Sequence, residues 1–226
     1  VYMREACAEG DVRIIAADTK VTEKNKTDKL FITTTGIGWA PAGRKIAGDQ
    51  ARPGDAVLIS GPLGNHGIAV LQARGNLGFQ SEVQSDTAPL NHLVQRLCEA
   101  APDVHVLRDP TRGGLATTLV EIARQSGVTI RLEEGDIPID AAVRAACDLL
   151  GLDPLYLANE GKVIVIVPEV EAESALNAMR KDKYGQQARR IGSVTGKSEG
   201  QLLLRTTLGT TLILEMLAGE MLPRIC

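Results

Sequence analysis

Residues 104–134 read VHVLRDPTRGGLATTLVEIARQSGVTIRLEE. The short extended run VHVL, 104–107, enters a turn, RDPTRGG, and then a helical pattern, LATTLVEIARQSG. A second extended run, VTIRLEE, follows. Strand, loop, helix and strand succeed one another within about thirty residues. The loop holds an acid, a hydroxyl, a guanidinium and two glycines where a helix begins. Loops that follow strands are the usual place for a site.

The same interleaving extends in both directions. Towards the C-terminus lie the helix PIDAAVRAACDLLG, with Gly151 as its C-cap, then the central strand VIVIVP and the helix EAESALNAMRK. ARRIGSVT and GQLLLRTT complete a strand pair, and LILEMLAGEMLPRIC is the tail. Towards the N-terminus, APLNHLVQRLCEAA is an amphipathic helix with Leu90, Leu93, Val94, Leu97 and Cys98 on one face. Before it, the short strand AVLIS runs through GPLGNHG into the helix IAVLQARG. The joint PAGRKIAGDQARPGD marks a domain boundary near Gly48. Upstream of it, a helix ending at Gly10 precedes two β-rich runs, DVRIIAADTKV and DKLFITTTGIGWA. The chain reads as if it starts in mid-domain. Elements mix irregularly, so the fold class is α+β.

The 226 residues suffice for one large domain or two small ones, and 44% hydrophobic with 23% charged residues is an ordinary globular composition. The formal net charge of −3 gives no electrostatic case for nucleic acid or anionic membranes. Two Phe, one Trp and three Tyr are too few for a base-stacking platform. The four cysteines, Cys7, Cys98, Cys147 and Cys226, form no CxxC pair, and His66, His92 and His105 do not cluster with them. That argues against a zinc ribbon and for reduced thiols in the cytosol. Cys98 and Cys147 fall in helical patterns as small buried hydrophobes. No apolar run has the length of a membrane span.

Five stretches bear on chemistry. AADTKV puts Asp18 and Lys20 at a strand end, where the carboxylate can hold Mg²⁺ and the ammonium can meet phosphate. A surface salt bridge in a turn accounts for them as well. In RDPTRGG, Asp109 can ligate a metal, and Thr111 and Arg112 can bond phosphate. Gly113 and Gly114 let backbone N–H groups approach an anion. A plain turn with Asp109 and Thr111 capping the helix is the competing account. GPLGNHG is neither a Walker loop nor GxGxxG, and a glycine-permitted turn suffices for it; His66 can act as a base, but a lone loop histidine is ordinarily polar surface. LANEGKVIVIV sets Asn159, Glu160, Gly161 and Lys162 before a buried strand. Glu160 can act as a general base there, and Lys162 can serve the strand edge. The chain ends in MLPRIC, with Cys226 beside its own carboxylate. Residues 218–226, if extended, reach roughly 30 Å at ~3.3–3.6 Å per residue. The thiolate is a nucleophile.

Taken together, DTKV, GPLGNHG, RDPTRGG, NEGK and the terminal PRIC resemble the HypE family of hydrogenase-maturation factors. That family is a branch of the aminoimidazole ribonucleotide synthetase and selenophosphate synthetase superfamily. The resemblance runs from the first strand to the last residue, and the PRIC terminus is its most specific feature. It implies a PurM-like fold and a homodimer. It implies that a HypF-type carbamoyltransferase loads a carbamoyl group onto Cys226. ATP with Mg²⁺ then drives dehydration of the thiocarboxamide to a thiocyanate. The cyanide passes to the iron of the [NiFe]-hydrogenase cofactor on a HypC–HypD scaffold. By match, Asp18 and Asp109 are metal ligands and Lys20 meets phosphate or the developing oxyanion. Glu160 is the base, with Asn159 orienting it, and Thr111, Arg112, Gly113, Gly114 and Asn159 line the nucleotide site.

Family members carry a further glycine-rich portion upstream and usually have Gly before the Asp of DTKV, where this chain has Ala17. The resemblance therefore predicts a remnant of an N-terminal domain at 1–47, a PurM-like domain at 48–217 and a mobile tail at 218–226. Because each follows or precedes a predicted strand, and strand ends gather at one edge of a sheet, Asp18, Lys20, Asp109, Arg112 and Glu160 are expected to converge on one cleft. Another ATP-using synthase or small-molecule kinase of the superfamily would explain the acids and glycines but not Cys226. A non-catalytic module docking its tail in a partner's groove would need no nucleotide.

Overall fold

A computed structural model describes residues 2–23, 26, 30–39, 42–75 and 81–217. Cys226 and the tail expected to be mobile lie outside the described residues. The chain divides into two compact units, Val1–Arg44 and Lys45–Cys226.

The first unit opens with helix α1 (Tyr2–Glu9). The two β-rich runs that follow form no strand among the described residues, contrary to the sequence expectation. A strand is stable only against a ladder partner, and none is supplied there among the described residues. Their β-branched and aromatic side chains therefore stay exposed: Ile15, Val21, Phe31, Ile37 and Trp39 all do. Asp18 and Lys20 are exposed as well.

The second unit is built on one seven-stranded sheet. Its strands are β1 (Asp55–Ile59), β2 (Val106–Arg108), β3 (Val128–Glu133), β4 (Ile164–Pro168), β5 (Arg189–Lys197), β6 (Gln201–Arg205) and β7 (Thr211–Leu214). Their order is β2-β4-β1-β5-β3-β6-β7. Among the described residues only β3 and β6 pair in parallel. The helices are α2 (Asn65–Ala73), α3 (Asn91–Ala100), α4 (Gly114–Ser126), α5 (Ala141–Leu150) and α6 (Ala172–Arg180).

Alternation in the strands sorts the core into two faces. Val57, Ile59, Ile164, Ile166 and Ile130 pack with Leu115, Leu119 and Ile122 of α4. Ala56, Leu58, Val165 and Val167 pack with Leu93 and Leu97 of α3 and with Leu176 and Met179 of α6. Because β1 and β4 are covered on both sides, they read as unbroken apolar runs. A third cluster joins α2 and α5 through Ile68, Leu71, Val143, Cys147 and Leu157.

Two sequence expectations change here. The runs ARRIGSVT and GQLLLRTT do not pair with each other: β3 lies between them, antiparallel to β5 and parallel to β6. Residues 212–214, read as the start of the segment LILEMLAGEMLPRIC, belong to β7, which pairs with β6. Gly209, at φ 85°, makes the tight turn that allows this hairpin. Cys147 is buried as expected, whereas Cys98 is only half-buried.

Candidate functional site

The sheet register gathers three loops. Ile59 at the end of β1 and Arg108 at the end of β2 both stand opposite Ile164 at the start of β4. The loops leaving β1 and β2 and the loop entering β4 therefore lie side by side. They are Ser60–Gly64, Asp109–Gly113 and Leu157–Val163.

Asn159 stitches them together from a site only 1% exposed. Its side-chain amide donates to the carbonyls of Pro110 (3.1 Å) and Leu157 (2.9 Å), and its Oδ1 accepts the Gly64 N–H (2.8 Å). Its backbone N–H also reaches Pro110 O, at 3.3 Å. A buried amide with every partner supplied is a specific tie, because losing one would strand a polar group. Ser60 and Val163 add a reciprocal pair, Ser60 N to Val163 O at 3.1 Å and Val163 N to Ser60 Oγ at 3.0 Å.

The Asp109 loop opens α4 through Gly113 (φ 70°) and Gly114 (φ 62°). A Cβ on Gly114 would lie 2.5 Å from Leu155 O, so the turn admits no larger residue. No side chain caps this helix start. Thr111 instead donates to Asp109 Oδ2, which sets aside the capping account of the loop. Arg112 is exposed, and the Asp109 side chain is 61% exposed. The first N–H groups of an α-helix have no intrahelical acceptors, and the helix dipole favours an anion there.

The Glu160 loop is held from a different direction. Asp86 accepts the Glu160 N–H on Oδ1 at 3.2 Å. Its Oδ2 lies 3.0 Å from Lys162 Nζ, both side chains being almost fully buried. The contact is an ion pair without hydrogen-bond geometry at that oxygen. A Cβ on Gly161 would fall 1.8 Å from Asp86 O, so the segment around Asp86 passes directly over the loop. The Glu160 side chain is 31% exposed, and its Oε1 lies 3.9 Å from His66 Nε2.

The register and hydrogen bonds thus bring the loop of Asn159 and Glu160 beside the loop of Asp109, Thr111, Arg112, Gly113 and Gly114. Asp18 and Lys20 belong to the first unit. Among the described residues no group of three or more His, Cys, Asp or Glu side chains could hold a metal. Lys162 does not serve the strand edge but pairs inward with Asp86. Sequence reasoning missed Asp86 and treated His66 as surface. Asp86 sits in SDTAP, a polar segment without period, and its partner lies 74 residues away.

The last described residues run beside α4. The Tyr156 hydroxyl donates to Glu215 O at 2.9 Å, and Leu217 N donates to Thr117 Oγ1 at 3.4 Å in the first turn of the helix. Burial, with Asp153 nearby, pushes the Tyr156 phenol up, so it keeps the proton it donates. Cys147 is pushed up to about 11, mainly by burial.

Residues 52–205 match the family described as AIR synthase related protein, C-terminal domain. The carbamoyl dehydratase HypE of Cupriavidus necator is 51% identical over 224 residues, which is 99% of this chain and 64% of the relative. A solved HypE in a HypE–HypF complex is 41% identical with a TM-score of 0.85, over 95% of this chain and 70% of that one. The chain belongs to the HypE family. A HypE solved in complex with ATP is 52% identical with a TM-score of 0.75, over 80% of this chain and 55% of that HypE. The chain thus spans less than two thirds of the length of the Cupriavidus HypE.

Proposed function

We propose that the protein dehydrates a carbamoyl group, carried as a thiocarboxamide on Cys226, to a thiocyanate at the expense of ATP, as a cyanide-supplying step of [NiFe]-hydrogenase maturation in the cytosol. The observation that carries this reading is the Asn159 clamp, which ties the loop of Glu160 to the loop of Asp109 and Arg112 through Pro110. A base and a phosphate-binding loop are thereby neighbours, although they are about fifty residues apart. Relatives named carbamoyl dehydratase and a HypE solved with ATP support the same reading.

The donor set fits a nucleotide. An uncapped helix start with two left-handed glycines suits a phosphate, and Arg112 and Thr111 add donors beside it. Magnesium takes one or two protein carboxylates and fills its remaining positions with water and phosphate oxygens. Asp109 is the proposed ligand in this loop, and Asp18 is proposed on sequence grounds alone. Lys20, on the same grounds, is a cation for phosphate or the developing oxyanion. ATP supplies the phosphoryl group that makes the amide oxygen a leaving group.

Glu160 takes a proton from the carboxamide nitrogen, and Asn159 holds the loop that aims it. Cys226 carries the acyl group by its thiolate. Such a carrier must visit both a carbamoyl donor enzyme and its own ATP site. A HypF-type carbamoyltransferase is the proposed donor, supported by the HypE–HypF complex of a relative. A HypC–HypD scaffold is the proposed acceptor, and a homodimer the proposed state.

The test is peptide mapping after incubation with the carbamoyltransferase and its substrates. The expected result is a carbamoyl mass on the C-terminal peptide, absent in Cys226→Ala, which still binds ATP. An adduct on Cys7, Cys98 or Cys147 would overturn the carrier assignment. Full ATP turnover of a small molecule by Cys226→Ala would point instead to a kinase.

A further inference from the structure

We infer that His66 is the proton relay of Glu160, passing the proton that the base collects through Ser85 to solvent. The inference rests on the reading of Glu160 as the base. Converting a carboxamide to a nitrile removes both N–H protons and the oxygen. The C–O bond breaks as phosphate leaves, and the electron pair of the last N–H bond completes C≡N. One proton departs with the phosphate as its monohydrogen form. The other is collected by the base and must leave the site before the next turnover.

The geometry supplies an exit. His66 Nε2 stands 3.9 Å from Glu160 Oε1, and Nδ1 stands 2.8 Å from Ser85 Oγ. Ser85 Oγ is in turn 2.8 Å from Thr87 Oγ1, where both hydroxyls are exposed. Ser85 Oγ also accepts the Thr87 N–H at 3.3 Å. With Nδ1–H donating to Ser85 and the Ser85 hydroxyl donating to Thr87, every site on Ser85 is used. That arrangement leaves Nε2 with its lone pair towards the carboxyl. The 3.9 Å gap is not a hydrogen bond, and a closing movement of roughly 1 Å would make it one.

Both ends of the relay are fixed by the machinery already described. The turn into α2 is set by Gly64, whose N–H bonds Asn159 Oδ1, and by the Gly67 N–H on Ala158 O at 3.1 Å. The carboxylate end is set by Asp86 on the Glu160 N–H, with Lys162 holding Asp86. His66 is 14% exposed in its side chain, so the ring is enclosed while Ser85 and Thr87 meet water. It is a positioning and relay residue acting through Glu160, not a contact to the carboxamide.

The test uses full-length protein carbamoylated on its C-terminal thiol, with the thiocyanate read by mass in single turnover. His66→Ala and His66→Gln should bind ATP and accept the carbamoyl group as wild type does, yet dehydrate it roughly 100-fold more slowly. Added imidazole should restore His66→Ala and leave His66→Gln slow, a response that a purely structural histidine would not show. In the unloaded protein, ¹⁵N NMR of the ring should find the proton on Nδ1. Rates within twofold of wild type, failure of imidazole to rescue, or a ring proton on Nε2 would each overturn the relay. If wild-type protein itself makes no thiocyanate, the reading of the function fails first and takes the relay with it. Wild-type turnover with an indifferent His66→Ala sinks the relay alone.

Discussion

Asp86 and Lys162 show how much one buried pair can hold. Their side chains are 6% and 10% exposed, and Asp86 also carries the Glu160 N–H. Removing one partner leaves an unpaired buried charge, which typically costs about 3–5 kcal/mol. Lys162→Met should therefore lower the unfolding free energy by that order in a denaturant titration. Adding Asp86→Asn should recover part of the loss, since the stranded charge is gone. Gly161→Ala should destabilise by about 1–3 kcal/mol through overpacking against Asp86 O, read as a lower Tm. Cys147 tests burial by pH. Its thiol is pushed from the ordinary 9.0 to about 11. Between those values the unfolded chain ionises this thiol while the folded chain keeps the proton. The stability it contributes is whole below pH 9 and is lost as pH rises towards 11. Cys147→Ala should show a shallower alkaline decline in urea midpoint than wild type, and equal slopes would contradict the burial. The same residue should react with iodoacetamide more slowly than half-buried Cys98.

At the scale of elements, what the sequence disclosed depended on whether its signal was local. The helix of 114–126 announces itself by period and by the glycines before it, and the strand VIVIVP by its unbroken apolar run. The loops at 109–114 and 157–162 were legible because acids, amide and glycine crowd the ends of strands. Strand order was not, because pairing is a long-range choice: nothing in GQLLLRTT says that β3, some seventy residues earlier, would be its parallel neighbour. The strand at 211–214 was hidden because its turn, closed at Gly209, looks like the start of a tail. Asp86 and Ser85 escaped, and His66 was set down as surface rather than as a base, for a related reason. Their meaning lies in a partner on another loop, and no periodicity marks it. Asn159 gives the element-scale prediction. Asn159→Ala strands the Gly64 N–H and leaves the Pro110 carbonyl with only the residue-159 backbone N–H, so the three loops should loosen together. Hydrogen exchange at Gly64, Gly67 and Val163 should accelerate together while α6 stays protected; an unchanged pattern would show that the clamp does not couple the loops.

At the scale of the molecule, the two units differ in how they are held. In the second, β1 and β4 are buried on both faces of the sheet, whereas residues 11–39 of the first expose Ile15, Val21, Ile37 and Trp39 and carry no ladder among the described residues. Limited trypsin should cut first at Arg13 and Lys20 and leave a persistent fragment from about Lys45 onward. First cuts within 55–214 would contradict that division. The central claim is that a carboxylate on the clamped loop dehydrates a carbamoyl group delivered by the C-terminal cysteine. Its most direct measurement compares wild type with Glu160→Gln, each carbamoylated on Cys226, mixed with Mg·ATP and quenched for mass analysis of the C-terminal peptide. The wild-type peptide should lose the mass of one water within a single turnover, while Glu160→Gln, with ATP bound, should keep its carbamoyl group intact. Loss of that water at the wild-type rate in Glu160→Gln would contradict the account.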